Sequence, residues 1–309
     1  MNLAEFFFKS ANALLDQVQG LSWQYFKIAG FNIRIACHIP AMTSKIYPAF
    51  SHLSSNADNC DLSIYVLSQD NMPFPLKILG GYQTTILSRG EIPALSNHHI
   101  TSIYNHHDGA LNIIHLQKNI AIYWVRSLNH MPWWIAGSPL QRIIACWMRS
   151  RGLELTHAAA VANNHHALLL AGKSGAGKST TTLSCIDANL FCLSEDYCLV
   201  DFRDQAKVYS VYNSLKLEPS SLERFPNYAS HAVNQHRQPH EKALIFQKAI
   251  HPNLIAQERP IKAIMTLEVG KETLIKKCHP SQATLALAAS TIFQLSASGQ
   301  TTLSRFKSL

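Results

Sequence analysis

The chain has 309 residues, 47% of them apolar and 15% charged, a balance that fills a core and excludes extensive disorder. Lys plus Arg (27) against Asp plus Glu (19) gives a formal charge of +8, with no basic run and no interleaved aromatics, so nucleic-acid binding is not expected. The 7 cysteines (Cys37, Cys60, Cys146, Cys185, Cys192, Cys198 and Cys278) form no CxxC pair, which argues against a disulfide framework or thiolate zinc site and fits a reducing cytoplasm.

From the N-terminus, the apolar stretch of residues 1–20 is interrupted by Glu5, Lys9 and Asp16, and reads as an amphipathic helix rather than a signal peptide. No run is long and apolar enough for a membrane span; 131-MPWWIAGSPLQRIIACWM-148 comes nearest and is broken by Pro132, Pro139 and Arg142. Strands are expected around Gly30 within 25–37, at 61–68 and at 83–89, with a loop over 48–60. The segments 111–117 and 120–126, joined by Lys118-Asn119, predict a hairpin.

The texture changes near Pro139, and the boundary is expected between 128 and 138. That gives a strand-rich portion 1–135, a candidate for substrate recognition, and a second portion 136–309. In the second, helical periodicity from Leu140 ends at Gly152, strands are expected at 157–162 and 167–171, a helix at 178–187 and a strand at 190–194. Further strands are expected at 207–212, 243–249 and 261–269, and a helix at 281–295. The fold class is α/β with a mixed sheet.

Between the strand at 167–171 and the helix from Lys178 lies 171-AGKSGAGKSTTT-182, which fits G-x-x-x-x-G-K-[ST] at Gly172, Gly177, Lys178 and Ser179. Glycines let successive backbone N–H groups converge on phosphate oxygens, and a helix N-terminus adds its positive dipole end. The expected nucleotide contacts are Gly172, Ser174, Gly175, Ala176, Gly177, Lys178, Ser179 and Thr180, with Lys178 reaching the terminal phosphates and Ser179 ligating Mg²⁺.

Glu195 and Asp196 follow one helix later, at the end of a strand that places carboxylates beside the loop. Alternation points them to opposite sides, so one is expected to bind Mg²⁺ and the other to orient or deprotonate a nucleophile. His157 opens the preceding strand and has two readings: a buried structural histidine, or an imidazole tuning a catalytic carboxylate. The pairs His98-His99, His106-His107 and His165-His166 lack ligand spacing.

The order 156-THAAAV-161, 168-LLLAGKSGAGKST-180, 193-LSEDYCLV-200 resembles the catalytic domain of the HPr kinase/phosphorylase family, including its peptide-modifying kinase relatives. The resemblance covers about 138–309 and implies a phosphoenolpyruvate carboxykinase-like P-loop core. It implies Glu195 as base toward a serine hydroxyl, Asp196 with Ser179 at Mg²⁺, and His157 near the transfer. Two shorter matches, 209–223 and 240–246, put Lys216 at a basic position and Lys242 at a phosphate contact. Two departures stand: Glu195 replaces the usual aspartate, and the glycine-rich signature of the phosphorylase reaction has no clear match.

The function expected is therefore a Mg²⁺-dependent kinase using ATP, with GTP as the alternative. The acceptor is a serine of a protein or peptide, or else a small-molecule hydroxyl. A nucleotide-regulated binding protein without catalysis is the reading from another class. Relatives of this kind form oligomers, but no interface is legible in the chain.

Overall fold

In a computed structural model, residues 2–18, 21–57, 59–70, 85–128 and 131–295 are described, and they form a mixed α/β protein of two compact units. One comprises residues up to Pro48 and Ser54–Ser150; the other comprises Ala49–Leu53 and everything from Arg151 onward.

The first unit opens with α1 (Leu3–Leu15), whose first turn is capped by the Asn2 side chain accepting from the Glu5 N–H at 3.0 Å. Strands β1 (Trp23–Ile28) and β2 (Phe31–Cys37) form an antiparallel hairpin turning at Ala29 and Gly30, both at positive φ. After α2 (Pro40–Ile46) come β3 (Leu62–Ser68), β4 (Ile100–Asn105), β5 (Ala110–His115) and β6 (Ile120–Val125). The sheet order is β1-β2-β3-β6-β5-β4, with β3 parallel to both neighbours and the expected β5–β6 hairpin in place. Phe7, Phe8 and Ala11 bury one face of α1 against Ile113, Ile122 and Trp124 of the sheet. Helix α3 (Gln141–Arg149) closes the unit. Of the strand expected at 83–89, residues 83–84 lie outside the described residues and Thr85–Arg89 is irregular.

In the second unit, β7 (Leu153–His157), β8 (Ala159–Ala162), β9 (Ala167–Ala171), β10 (Phe191–Ser194), β11 (Tyr197–Asp201), β12 (Lys207–Ser210) and β15 (Glu258–Thr266) build one mixed sheet. Its order is β10-β8-β9-β15-β12-β11-β7, antiparallel except for the parallel β9–β15 pair. A separate antiparallel pair is made by β13 (Ser214–Leu217) and β14 (Ala243–Phe246). Helix α4 (Lys178–Asp187) follows β9, α5 (Pro219–Arg224) follows β13, and α6 (Pro280–Gln294) packs against β7.

Two sequence expectations need correcting here. Residues 157–162 are not one strand: His157 closes β7, Ala158 makes a buried bend, and β8 begins at Ala159. The helix from Leu140 stops at Arg149, with Gly152 at positive φ just beyond it, and Leu153–His157 is a strand where none was expected before His157. The loop expected at 48–60 contains a 3₁₀ turn, Pro48–Leu53, with Ala49, Phe50 and Leu53 buried. That segment belongs to the second unit: Asn213 donates to the Ala49 carbonyl from both its backbone N–H and its side chain, at 2.9 Å each. His52 Nε2 lies 2.8 Å from Ser210 Oγ.

Among the described residues no helix is long and apolar enough to cross a membrane.

Candidate functional site

The chain passes from one end of the sheet to the other at two corners. One is His157–Ala158, between β7 and β8; the other is Glu195–Asp196, between β10 and β11. Pairing places Tyr197 opposite His157 and Ser194 opposite Ala160, so the two corners must lie side by side. The glycine-rich loop leaves β9, which neighbours β8, and therefore opens onto the same region.

Within the loop, Gly172 is held by a close approach: a Cβ there would lie 2.8 Å from the Ala176 Cβ and 3.3 Å from the Leu267 carbonyl oxygen. Gly177 enters α4 at φ +98°, a left-handed conformation that side chains rarely adopt. Ser174 and Gly175 are exposed, Ala176 is buried, and Thr180 is half-buried. Lys178 is buried, its ammonium donating to the Gly172 carbonyl at 2.7 Å and to that of Lys173 at 3.4 Å. Burial lowers its pKa, opposed by the negative charges of Asp196 and Glu195 and reinforced by the positive charge of Lys242.

The acids part company at their corner. Ser179 Oγ donates to Glu195 Oε1, and the Lys216 backbone N–H donates to Glu195 Oε2 at 3.1 Å. Asp196 instead accepts from His157, Nε2 to Oδ1 at 2.8 Å, and its Oδ2 forms an ion pair with the Lys216 ammonium. Burial and the negative charge of Asp196 raise the pKa of Glu195. Burial alone would also raise that of Asp196, but the Lys216 ammonium and the His157 hydrogen bond hold it well below the usual carboxylate range. The two carboxyls are thus pushed in opposite directions.

His157 is fixed by α6. Its backbone N–H donates to Thr291 Oγ1 at 3.1 Å, and its carbonyl accepts from Ser290 Oγ at 3.0 Å. The ring lies 5.1 Å from that of Tyr197, and its buried Nδ1 has no hydrogen-bond partner among the described residues. Beside them, Ser194 Oγ accepts from the Asp196 N–H at 3.1 Å and donates to the Ala158 carbonyl at 3.2 Å, tying the two corners together.

Of the residues expected from sequence, Lys178, Ser179, Glu195, Asp196 and His157 are brought together around the loop. Their pairing differs from the expected one: Ser179 meets Glu195, and His157 meets Asp196. Lys242 lies at the margin, half-buried, its ammonium 3.0 Å from Glu218 Oε1. Ser194, Ser290 and Thr291 were not anticipated. Hydroxyls of this kind carry no spacing signal, and only the folded chain sets them against His157 and Asp196.

No protein-family model matches the chain, and no curated protein matches it. Among solved structures, the Hpr(Ser) kinase/phosphatase from Coxiella burnetii shows a weak likeness. Identity is 12% and the TM-score 0.28, over 41% of this chain and 73% of that one.

Proposed function

We propose that this chain is a Mg²⁺-dependent kinase that transfers the γ-phosphoryl group of ATP or GTP to a hydroxyl, with a serine of a protein or peptide as acceptor. Gly172–Ser179 then acts as the phosphate-binding loop of an HPr-kinase-like core with the phosphoenolpyruvate carboxykinase-type fold. The observation that carries the reading is the division of two adjacent carboxyls between a loop serine and a histidine.

The residues at the Ser179 end suit a divalent cation. A hydroxyl and a carboxylate are hard oxygen donors of the type Mg²⁺ prefers, beside a loop whose N–H groups favour phosphate. Ser179 would hold the cation directly, with Glu195 behind it. Mg²⁺ bound there supplies neutralisation of charge on the phosphate oxygens. Lys178, now turned onto the Gly172 carbonyl, exchanges that contact for the terminal phosphates.

Asp196 is the carboxylate we assign to accept the proton, because it is ionised and oriented. Its pKa is held below the usual carboxylate range and it is oriented by His157 Nε2–H, whereas Glu195, whose pKa is raised, is held by Ser179 and the Lys216 backbone N–H. This exchanges the roles that the family resemblance implied for the pair. In the transfer, the acceptor oxygen bonds to the γ-phosphorus as the bond from phosphorus to the β–γ bridging oxygen breaks. The nucleoside diphosphate leaves with that electron pair, and the hydroxyl proton passes to Asp196. The contact of His157 Nε2 with the Asp196 carboxylate at 2.8 Å supports the functional reading of this histidine over the merely structural one.

The test is incubation with Mg²⁺, γ-labelled ATP or GTP and a peptide extract, comparing wild type with Lys178→Ala, Glu195→Gln and Asp196→Asn. Acceptor labelling that disappears in Lys178→Ala and Asp196→Asn supports the kinase. Phosphate release without a labelled acceptor sinks it in favour of a hydrolase, and nucleotide binding with neither points to the non-catalytic reading.

A further inference from the structure

The carboxyl pair is gripped from a second sheet. Lys216 lies in β13, paired with Leu244 of β14, and its neighbours Leu215 and Leu217 are buried in the apolar cluster that includes Leu183 and Ile186 of α4. Period-2 alternation therefore turns Lys216 to the opposite face, toward the acids. Its backbone N–H donates to Glu195 Oε2 at 3.1 Å, its ammonium pairs with Asp196 Oδ2, and that ammonium lies 5.4 Å from the centroid of the Tyr197 ring. The side chain is only 14% exposed, so the lysine gives up hydration and rotamer freedom to sit there.

The two contacts are separable. The backbone contact to Glu195 is set by strand pairing and survives substitution, whereas the contact to Asp196 belongs to the side chain. Two adjacent carboxyls repel when both are ionised, and an ammonium beside one of them offsets that repulsion. Without it, the short Asp196 side chain is free to leave His157.

We propose that Lys216 is a positioning residue that holds the Asp196 carboxylate against His157 and away from the Ser179–Glu195 contact. Its effect on turnover rests on the kinase reading above; its effect on the Asp196–His157 contact does not.

The experiment uses the full chain with ¹⁵N-labelled histidine, the His157 resonances being assigned by their loss in His157→Gln. Lys216→Met is expected to shift the His157 Nε2 resonance as Asp196→Asn does. The double variant shifts it no further, and Lys216→Arg leaves it near the wild-type position. In turnover, Lys216→Met is expected to lower kcat by about 100-fold with Mg-nucleotide affinity within about twofold, and Lys216→Arg to recover most of it. A His157 resonance unmoved in Lys216→Met overturns the proposal whatever the activity does. Parallel losses of affinity, turnover and thermal midpoint, with no recovery in Lys216→Arg, mark a merely structural lysine and overturn it too. If the resonance moves but wild type transfers no phosphoryl group, the positioning role stands and the kinase reading falls.

Discussion

His157 and Asp196 meet at 2.8 Å, Nε2 to Oδ1, although each sits at a separate corner where the chain changes ends of the sheet. The contact exists because β7 and β11 pair in a register that sets Tyr197 opposite His157. It leaves the other acid to Ser179, and the chemistry follows from that division.

On the proposed reading, that division should make Mg²⁺ binding dependent on pH. The raised pKa of Glu195 means that a proton competes with a cation brought to Ser179. Mg²⁺ affinity should therefore fall as pH drops, by up to about tenfold per pH unit below the Glu195 pKa. Calorimetric titration of Mg²⁺ with nucleotide checks this. In Glu195→Gln the affinity should be weaker and the pH dependence flat; a dependence that persists unchanged would assign the proton elsewhere.

Gly172→Ala should close the loop on itself. The added methyl meets the Ala176 Cβ at 2.8 Å, and overpacking of this kind costs about 1–3 kcal/mol. We expect a lower thermal midpoint and weaker nucleotide binding. Adding Ala176→Gly removes the atom that clashes and should restore part of both. No recovery in the double variant would put the damage at the Leu267 carbonyl instead.

Thr291→Val leaves the buried His157 N–H without its acceptor at nearly constant volume. Orphaning such a donor costs about 1–3 kcal/mol. Denaturant unfolding measures the loss, and Thr291→Ser, which keeps the hydroxyl, should recover most of it.

His52 should make the second unit acid-sensitive. Burial, followed by the positive charge of Lys248, lowers its pKa from 6.5 to about 3. The unfolded chain therefore binds the extra proton between those values. The stability from burying a neutral imidazole is fully present above about pH 6.5 and is lost as pH falls toward 3, with a slope of at most ~1.4 kcal/mol per pH unit. In His52→Gln that component should vanish, so the stability difference between wild type and variant should narrow on acidification. A difference constant with pH would show that folding does not shift the His52 pKa.

Much of the site was legible because its signals are local. A glycine pattern between an apolar strand and a helix marks Gly172–Ser179, and one helix later Glu195-Asp196 lies within reach. The partnering was not legible. Alternation holds along a strand, but Glu195 and Asp196 occupy the bend between β10 and β11, where period 2 does not apply. His157 was placed at the start of a strand because its alanine-rich neighbours look continuous; the bend at Ala158 is imposed by pairing with β11 on one side and β9 and β10 on the other. Lys216 was marked in sequence only by a short resemblance over 209–223, and the β13–β14 pair shows which way it faces.

The segment Ala49–Leu53 has a consequence for how the chain is made. It is synthesised early, yet its partners Ser210, Asn213 and Lys248 emerge only after the whole first unit. Closing a loop of that length costs roughly 4–5 kcal/mol of chain entropy, taking the flexible-loop scaling without its constant. The second unit is therefore a discontinuous folding unit, whose last piece must be retrieved from upstream. A chain cut near residue 136 would carry the glycine loop, both acids and His157, and still lack the strap that Asn213 ties down just ahead of Lys216.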